Sequence, residues 1–275
     1  MGILRGITIG QHYPVDSLLH RLDPRTKILG TMVYLVALLG ANDPLPFLAV
    51  AAVTVFLCTI SHIPWRLLSN GLRPLRYIII FTFVLHLFVT PGGTLLGQLG
   101  RLAVYSGGVW RGAQLAFRLV LMILTTSLLT LTTSPIVLTD GLERLLAIFK
   151  PLGLPAHELA MMMTIALRFI PILIEEADKI SKAQIARGAD LESGSLLQRL
   201  QSMLPILVPL FISALRRADE LAIAMEARCY RGGEGRSQYI ELSFSRADKV
   251  ALLLLSLGLV ATLGNMLWSW FSNGV

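Results

Sequence analysis

The stretches EADKISKAQIARG (Glu176–Gly188) and RADELAIAMEARC (Arg217–Cys229) are two copies of one pattern and align without a gap. Both copies carry small or apolar residues at intervals of three and four, which lie along one face of an α-helix. Each copy ends in Ala-Arg followed by a small residue, and the glycine of the first copy marks a helix end. The repeat therefore predicts two long helices with an arginine at each tip. The matched pairs are Ala177 and Ala218, Asp178 and Asp219, Ile180 and Leu221, Ala183 and Ala224, Ala186 and Ala227, and Arg187 and Arg228.

The composition around this repeat is that of a membrane protein. Of the 275 residues, 54% are hydrophobic and 15% are charged, whereas a soluble domain is usually about a quarter charged. The net charge of +7 is better explained by basic cytoplasmic loops than by nucleic-acid binding, so we expect the lipid bilayer as a partner and no nucleic acid. The sequence predicts an all-α integral membrane protein.

Five apolar stretches are candidates for membrane-spanning helices, each of which needs about 20 apolar residues. The first two begin at Asp23-Pro24 and Asp43-Pro44, which pair a helix N-cap residue with a proline suited to the first turn. The third is short unless it borrows residues from the loop before it. Ser245 and Asp248 form a capping-box pattern before the fifth. The predicted spans cover residues 23–41, 43–61, 77–89, 113–133 and 250–271.

Lysine and arginine predict the orientation of these spans. They are dense before the first span, after the second and between the fourth and fifth, and these segments should therefore face the cytoplasm. The expected topology is multi-pass in the cell membrane, with the N-terminus in the cytoplasm. We divide the chain into N-terminal membrane helices (1–134), a cytoplasmic helical module (135–245) and a C-terminal membrane helix (246–275).

The cytoplasmic module is predicted to contain one short helix and two long ones. The short helix covers 139–150, with Thr139 or Asp140 as its N-cap. One long helix runs from Pro155 towards Arg187, and the other runs from Ser193 or Ser195 towards Tyr230. Both long helices begin apolar and become charged, as amphipathic helices at a membrane surface do. Internal prolines should kink them, at Pro171 in the first and at Pro205 and Pro209 in the second.

An arginine at a helix C-terminus is common, because its charge complements the helix dipole. Two arginines at the ends of matched helices favour a further interpretation, in which the tips dock onto two similar partners or onto one two-fold partner. Arginine suits that role because its rigid fork of donors holds carboxylates and carbonyl oxygens. The tips differ after the arginine, with Gly188-Ala189-Asp190 in one and Cys229-Tyr230-Arg231 in the other. This difference in charge suggests that the two tips dock into non-identical grooves on their partners.

The chain resembles the transmembrane T component of energy-coupling factor transporters, the ABC-type importers of vitamins and transition-metal ions. The resemblance covers essentially the whole chain and includes IGQHYPVDSLLHRLDPRTK (9–27), the two Ala-Arg-small motifs and EARCYRGG (226–233). It implies that the long helices are coupling helices that dock two ABC ATPase subunits and act on a substrate-binding membrane subunit. It also implies a bacterial or archaeal cell membrane. Cys229 departs mildly from the Gly or Ser expected there. The docking residues implied are Ala186, Arg187, Gly188, Ala227, Arg228 and Cys229.

The apolar parts of the two long helices are candidates for contact with the substrate-binding subunit, because methionine-rich faces repack against varied partners. Simple packing of one helix on the other explains the same residues equally well. The candidate contact residues are Met161, Met162, Met163, Leu204, Leu207 and Phe211.

Other functions find less support in the sequence. It contains no Gly-x-x-x-x-Gly-Lys-Ser/Thr phosphate loop, so ATP hydrolysis is expected in partner subunits. We expect no catalytic residues, no cofactor and no metal site, because the five histidines are scattered. A self-sufficient secondary transporter would carry inverted repeats and ionisable groups at mid-membrane depth. A membrane-bound enzyme would need a nucleophile, an acid/base pair or a metal site on facing helices, and a scaffold without transport would bind ATPases alone.

Overall fold

The computed structural model describes residues 13–99, 102–189, 195–232 and 244–273. Within these ranges the chain is almost entirely helical, as predicted, with one short hairpin of two antiparallel strands. The helices are α1 (Pro24–Gly40), α2 (Pro44–Ile60), α3 (Trp65–Leu72), α4 (Arg76–Val89), α5 (Ser106–Thr132), α6 (Pro135–Leu146), a 3-10 helix (Ala147–Leu152), α7 (Ala156–Ala186), α8 (Leu196–Ala227) and α9 (Arg246–Asn273). The strands are β1 (Leu95–Leu99) and β2 (Leu102–Tyr105).

The described residues form two compact units. The first unit comprises those between residues 10 and 141 together with those from residue 244 onwards. The second unit comprises those between residues 142 and 232, and therefore holds α7 and α8.

Several helices begin where the sequence predicts. Asp23 is the N-cap of α1, and its carboxylate accepts a hydrogen bond from the N–H of Arg25 at 2.9 Å. The capping box of α9 is formed in both directions, because Asp248 Oδ2 accepts from the Ser245 N–H (2.9 Å) and Ser245 Oγ accepts from the Asp248 N–H (3.2 Å). Asp43 occupies the N-cap position of α2 but makes no capping hydrogen bond through its side chain.

The predicted start of the short helix is wrong. Helix α6 begins at Pro135, so Thr139 and Asp140 lie inside it. Ser134 caps this helix instead, because its hydroxyl accepts a hydrogen bond from the Val137 N–H at 3.4 Å, and Pro135 suits the first helical position. Thr139 turns its hydroxyl back to the Pro135 carbonyl oxygen at 2.9 Å.

Among the described residues, some of the predicted spans coincide with helices that meet the length and hydropathy needed to cross a membrane. Helix α5 is long and apolar enough to cross a membrane, and α3 with α4 passes together as a pair bent by 60°. Such a bent pair is either a broken span or a re-entrant loop, so the extension of the third span into the preceding segment stays a prediction. Helix α2 is apolar but has only 17 residues. The same criterion also selects α7, whose place in a cytoplasmic module stays a prediction.

Helix α5 is at the centre of the first unit. One buried cluster joins Leu121 to α1 and α2, and another joins Leu124, Leu128 and Leu131 to Ile63 and Leu68 at α3. Helix α4 approaches the start of α5 closely at two glycines four residues apart. A Cβ atom on Gly108 would lie 2.8 Å from the His86 carbonyl oxygen, and one on Gly112 would lie 3.0 Å from that of Phe83. Small residues at this spacing let helix backbones pack closely in membranes.

The N-terminal motif joins the ends of three helices. Lys27 Nζ donates hydrogen bonds to the carbonyl oxygens of His20 (3.0 Å) and Thr132 (3.2 Å), the last residue of α5. Because the last carbonyls of a helix lack partners within it, Lys27 acts as a C-terminal cap for α5. The Asp23 N–H donates to Asp248 Oδ1 at 2.8 Å, which ties α1 to the start of α9. The motif that carries the family resemblance thus also has a structural role.

Candidate functional site: two arginine-tipped helices

Helices α7 and α8 pack against each other in antiparallel orientation. Arg217 forms an ion pair with Glu176, with 3.5 Å between Nη2 and Oε2. The Gln184 amide nitrogen donates to the Pro205 carbonyl oxygen at 3.3 Å. As the residue number rises on α7, the number of its partner on α8 falls, which defines the antiparallel direction.

This direction places the two arginine tips at opposite ends of the helix pair. Helix α7 has 31 residues and α8 has 32, and an α-helix rises about 1.5 Å per residue, so each is roughly 45 Å long. The pairing of Gln184 with Pro205 puts the Arg187 tip (Ala186-Arg187-Gly188) beside the first half of α8. The Arg228 tip (Ala227-Arg228-Cys229) lies beside the start of α7.

The Arg187 tip ends in a Schellman motif. Helix α7 ends at Ala186, and Arg187 is its C-cap. Gly188 has a φ of +90°, in the left-handed region that favours glycine. Its N–H donates to the Ile185 carbonyl oxygen (2.9 Å), and the Ala189 N–H donates to that of Gln184 (3.0 Å). These two bonds satisfy carbonyl groups that the end of the helix leaves without partners.

The Arg228 tip has the same backbone structure. Helix α8 ends at Ala227, and the N–H groups of Cys229 and Tyr230 donate to the carbonyl oxygens of Glu226 (2.9 Å) and Met225 (3.0 Å). Cys229 has a φ of +55°, although a residue with a side chain pays a steric cost in this region. The two copies of the repeat therefore correspond in their terminal backbone hydrogen bonds as well as in their residues.

The six residues of the two tips are all exposed. Both guanidinium groups are thus accessible at the end of a fixed turn, since the Schellman motif sets the direction in which the chain leaves each helix. The prediction of two similar arginine-bearing helix ends is correct in its geometry. Asp190, whose charge distinguishes the first tip from the second in the sequence, lies outside the described residues.

The predicted contacts to a substrate-binding subunit are also mostly exposed. Met162 is 55% exposed, Phe211 is 64% exposed and Met161 is partly buried. The antiparallel pairing places the methionines towards the Arg228 tip and residues 204–211 towards the Arg187 tip. A continuous surface that includes all six residues extends roughly 35 Å along the helix pair. The remaining exposed members are Met163, Leu204 and Leu207.

The structure reveals a role for Gln184 that the sequence analysis missed. Pro209 has no N–H, so it cannot donate to the carbonyl of Pro205 four residues earlier, as a helix requires. The Gln184 side chain supplies the missing donor. A proline inside a predicted helix, here Pro209, is a visible signal that the carbonyl four residues earlier lacks its partner, but the sequence does not say which side chain would reach it.

A second missed group joins three segments of the second unit. His157, in the first turn of α7, places Nδ1 2.8 Å from Glu143 Oε1 on α6. Its Nε2 lies 3.4 Å from the hydroxyl oxygen of Tyr230, which follows the Arg228 tip. Because a carboxylate only accepts hydrogen bonds, Nδ1 carries the proton in this contact, and Nε2 of a neutral imidazole is then free to accept from the tyrosine hydroxyl.

Asp178 is engaged in an exposed ion pair with Lys182 four residues later, the ordinary arrangement on a solvated helix face. Within the ranges that the structure describes, no group of three or more His, Cys, Asp or Glu side chains is arranged to hold a metal ion.

The fold and the paired tips define a helical membrane protein with two exposed arginine-bearing ends. The chain matches the family of cobalt transport proteins (CbiQ) over residues 16–239. It is 52% identical over 266 residues to the energy-coupling factor transporter transmembrane protein EcfT of Acidaminococcus fermentans, which covers 97% of this chain and 98% of the relative. It is 46% identical over 253 residues to the protein of the same name from Bacillus subtilis, covering 92% and 96% of the two chains.

The chain therefore belongs to the family of transmembrane T components of energy-coupling factor transporters. It is a membrane-embedded transport protein that works in a complex with other subunits.

Proposed function

We propose that this chain is the coupling subunit of its transporter and that it docks two ABC ATPase subunits through its two arginine tips. Arg187 and Arg228 enter grooves on the two ATPases, and the small residues beside them allow close approach. ATP hydrolysis belongs to the partners, since the chain itself lacks a phosphate-binding loop. The chain is non-catalytic and lies in the bacterial or archaeal cell membrane with its N-terminus in the cytoplasm.

The observation that carries the proposal is the identical backbone geometry of two tips at opposite ends of one antiparallel helix pair. Two similar docking points roughly 40 Å apart along the helix pair suit two separate subunits better than one. Closure of an ATPase pair would then displace both ends of α7 and α8 together. Because Glu176 and Gln184 hold α7 against α8, the motion of one end would be transmitted to the other helix.

The exposed apolar side chains of α7 and α8 complete the proposal. They would contact a substrate-binding membrane subunit, whose tilting on ATP-driven motion would release a micronutrient, a vitamin or a metal ion, into the cell. Exposed apolar side chains grouped on two packed helices are typical of an interaction site. The contact residues proposed are Met161, Met162, Met163, Leu204, Leu207 and Phe211.

Charge reversal at both tips tests the docking role. The tagged chain is purified from native membranes in mild detergent, and the proteins that accompany it are identified by mass spectrometry. The variant Arg187→Glu/Arg228→Glu should lose the ATPase pair, because a desolvated interfacial arginine is worth about 2 kcal/mol or more, or about thirtyfold in affinity at each site.

The matched control reverses the same number of charges away from the tips. Lys179 and Arg216 are exposed on the same two helices, and Lys179→Glu/Arg216→Glu should retain both ATPases. Absence of ATPases from the wild-type preparation, or equal capture by the tip variant and the wild type, would contradict the proposed function.

A further inference from the structure

The two tips share a backbone structure but differ in the side chain that follows each left-handed residue. The residue after Gly188 is Ala189, whose side chain carries no polar group. The residue after Cys229 is Tyr230, whose hydroxyl reaches His157 on the first turn of α7. The two positions are equivalent, since the N–H of each closes the longer hydrogen bond of its Schellman motif.

The contact of Tyr230 spans 73 residues of sequence and joins the end of one helix to the beginning of the other. His157 is itself fixed, because its second ring nitrogen lies against Glu143 of α6. The side chains of His157 and Glu143 are only 32% and 18% exposed, so the contact between them is partly shielded from water. The Tyr230 hydroxyl therefore contacts His157 of α7, a side chain that is itself bonded to α6 through Glu143.

We propose that Tyr230 is the positioning residue of the Arg228 tip, held in place by His157 and Glu143, and this inference rests on the docking role proposed above. Helix ends fray readily, and a mobile tip must be ordered when it binds, which weakens affinity. The link from Tyr230 to His157 orders the segment after α8 before an ATPase arrives. Arg228 is thereby presented in one direction.

The two docking points therefore differ in the side-chain contact that stabilises each tip. At the Arg187 tip, the stabilising side chain is Gln184, which precedes the arginine and donates a hydrogen bond to the Pro205 carbonyl oxygen of α8. At the Arg228 tip, the stabilising side chain is Tyr230, which follows the arginine and contacts His157 through its phenolic hydroxyl. Removal of that hydroxyl should therefore weaken docking at the Arg228 tip and leave the Arg187 tip unchanged.

The test uses full-length chains in which a single tip is functional. Arg187→Glu leaves docking to the Arg228 tip, and Arg228→Glu leaves it to the Arg187 tip. Each chain is prepared with and without Tyr230→Phe and titrated with the purified ATPase subunits of the same transporter. We expect Tyr230→Phe to weaken binding about threefold to tenfold in the Arg187→Glu chain, the range for loss of one hydrogen bond, and to have no effect in the Arg228→Glu chain.

Variants of His157 distinguish positioning from general stability. His157→Leu should reproduce the effect of Tyr230→Phe, and His157→Gln, whose amide can still meet the tyrosine hydroxyl, should restore part of the binding. Equal weakening in both single-tip chains would overturn the proposal, because it would indicate a loss of overall structure. Unchanged binding of Tyr230→Phe in the Arg187→Glu chain would overturn it as well.

Hydrogen exchange measures the positioning without any partner. In the chain with both arginines intact, Tyr230→Phe should speed exchange of the Cys229 and Tyr230 amides, which close the Schellman motif, and should leave Gly188 and Ala189 unchanged. Unaltered protection at Cys229 and at position 230 would refute the positioning role whatever the binding data. Failure of the docking proposal has a different signature, since capture would then survive Arg187→Glu/Arg228→Glu.

Discussion

Cys229 adopts the left-handed backbone conformation that Gly188 adopts at the matching position of the repeat. The Schellman motif requires this conformation at the residue after the C-cap, so the backbone of the Arg228 tip is formed against the preference of its own residue. By the family resemblance, Cys229 departs only mildly from the Gly or Ser expected at this position. The structure adds the reason for the preference, which is the sign of φ rather than the space available.

Exchange of residue types between the tips should therefore change local stability in opposite directions. Cys229→Gly removes a steric cost of about 1 kcal/mol, and hydrogen exchange of the Cys229 and Tyr230 amides should slow about fivefold. Gly188→Cys should speed exchange at Gly188 and Ala189 by a similar factor. Both effects are measured on the purified chain by mass spectrometry. Faster exchange in Cys229→Gly would mean that the left-handed residue does not limit the stability of this tip.

At the scale of single elements, the close approach of α4 to α5 depends on glycine. Backbone carbonyl oxygens of His86, Leu87 and Thr90 surround the position where a Cβ atom of Gly108 would be, at 2.8 to 3.1 Å. Backbone atoms cannot rotate away as a flexible side chain can, so an added methyl group must push the helices apart. The pair Gly108 and Gly112 was visible in the sequence as a small-residue spacing, but its partner helix was not.

Gly108→Ala should destabilise the chain by about 1–3 kcal/mol, the usual cost of an overpacked contact. Gly258 in α9 provides the matched control, because a Cβ atom there meets no other atom within 4 Å. Gly258→Ala should raise stability by about 0.5–1 kcal/mol, since alanine is the better helix former. Thermal unfolding in detergent compares the two variants with the wild type. A Gly108→Ala chain as stable as Gly258→Ala would show that α4 and α5 are not in tight contact.

At the scale of the whole molecule, the second unit presents two kinds of surface on the same two helices. The arginine tips are polar and lie at the ends, whereas the exposed apolar side chains lie between them. In the proposed function these surfaces bind different subunits, so it should be possible to lose one partner and keep the other. Phe211 is suited to this test because it is 64% exposed and lies roughly 25 Å along α8 from Arg228.

Phe211→Lys should abolish co-purification of the substrate-binding membrane subunit, because a lysine ammonium loses its hydration in an apolar interface without gaining a partner. Capture of the ATPase pair should be unchanged. Phe211→Leu keeps an apolar side chain and should retain both kinds of partner. Loss of the ATPases together with the membrane subunit in Phe211→Lys would contradict the separation of the two surfaces.

The sequence by itself determined the features that depend on neighbouring residues. Apolar composition, the proline and aspartate at the start of α1, the capping box of α9 and the end of α7 at Ala186 all follow from local chemistry. The matched helix ends also follow from it, because the Schellman bonds join residues only three and five positions apart. The predicted start of α6 failed because a second competent cap, Ser134, lies five residues before Thr139.

Only the tertiary structure decided which distant residues meet. The antiparallel direction of α7 and α8, the pairing of Gln184 with Pro205 and the contact of Tyr230 with His157 each join residues 21 or more positions apart. No local preference specifies such a pairing, because it is the packing of whole helix faces that selects one register among many. For this reason the arginine tips could be found in the sequence, while their placement at opposite ends of one helix pair could not.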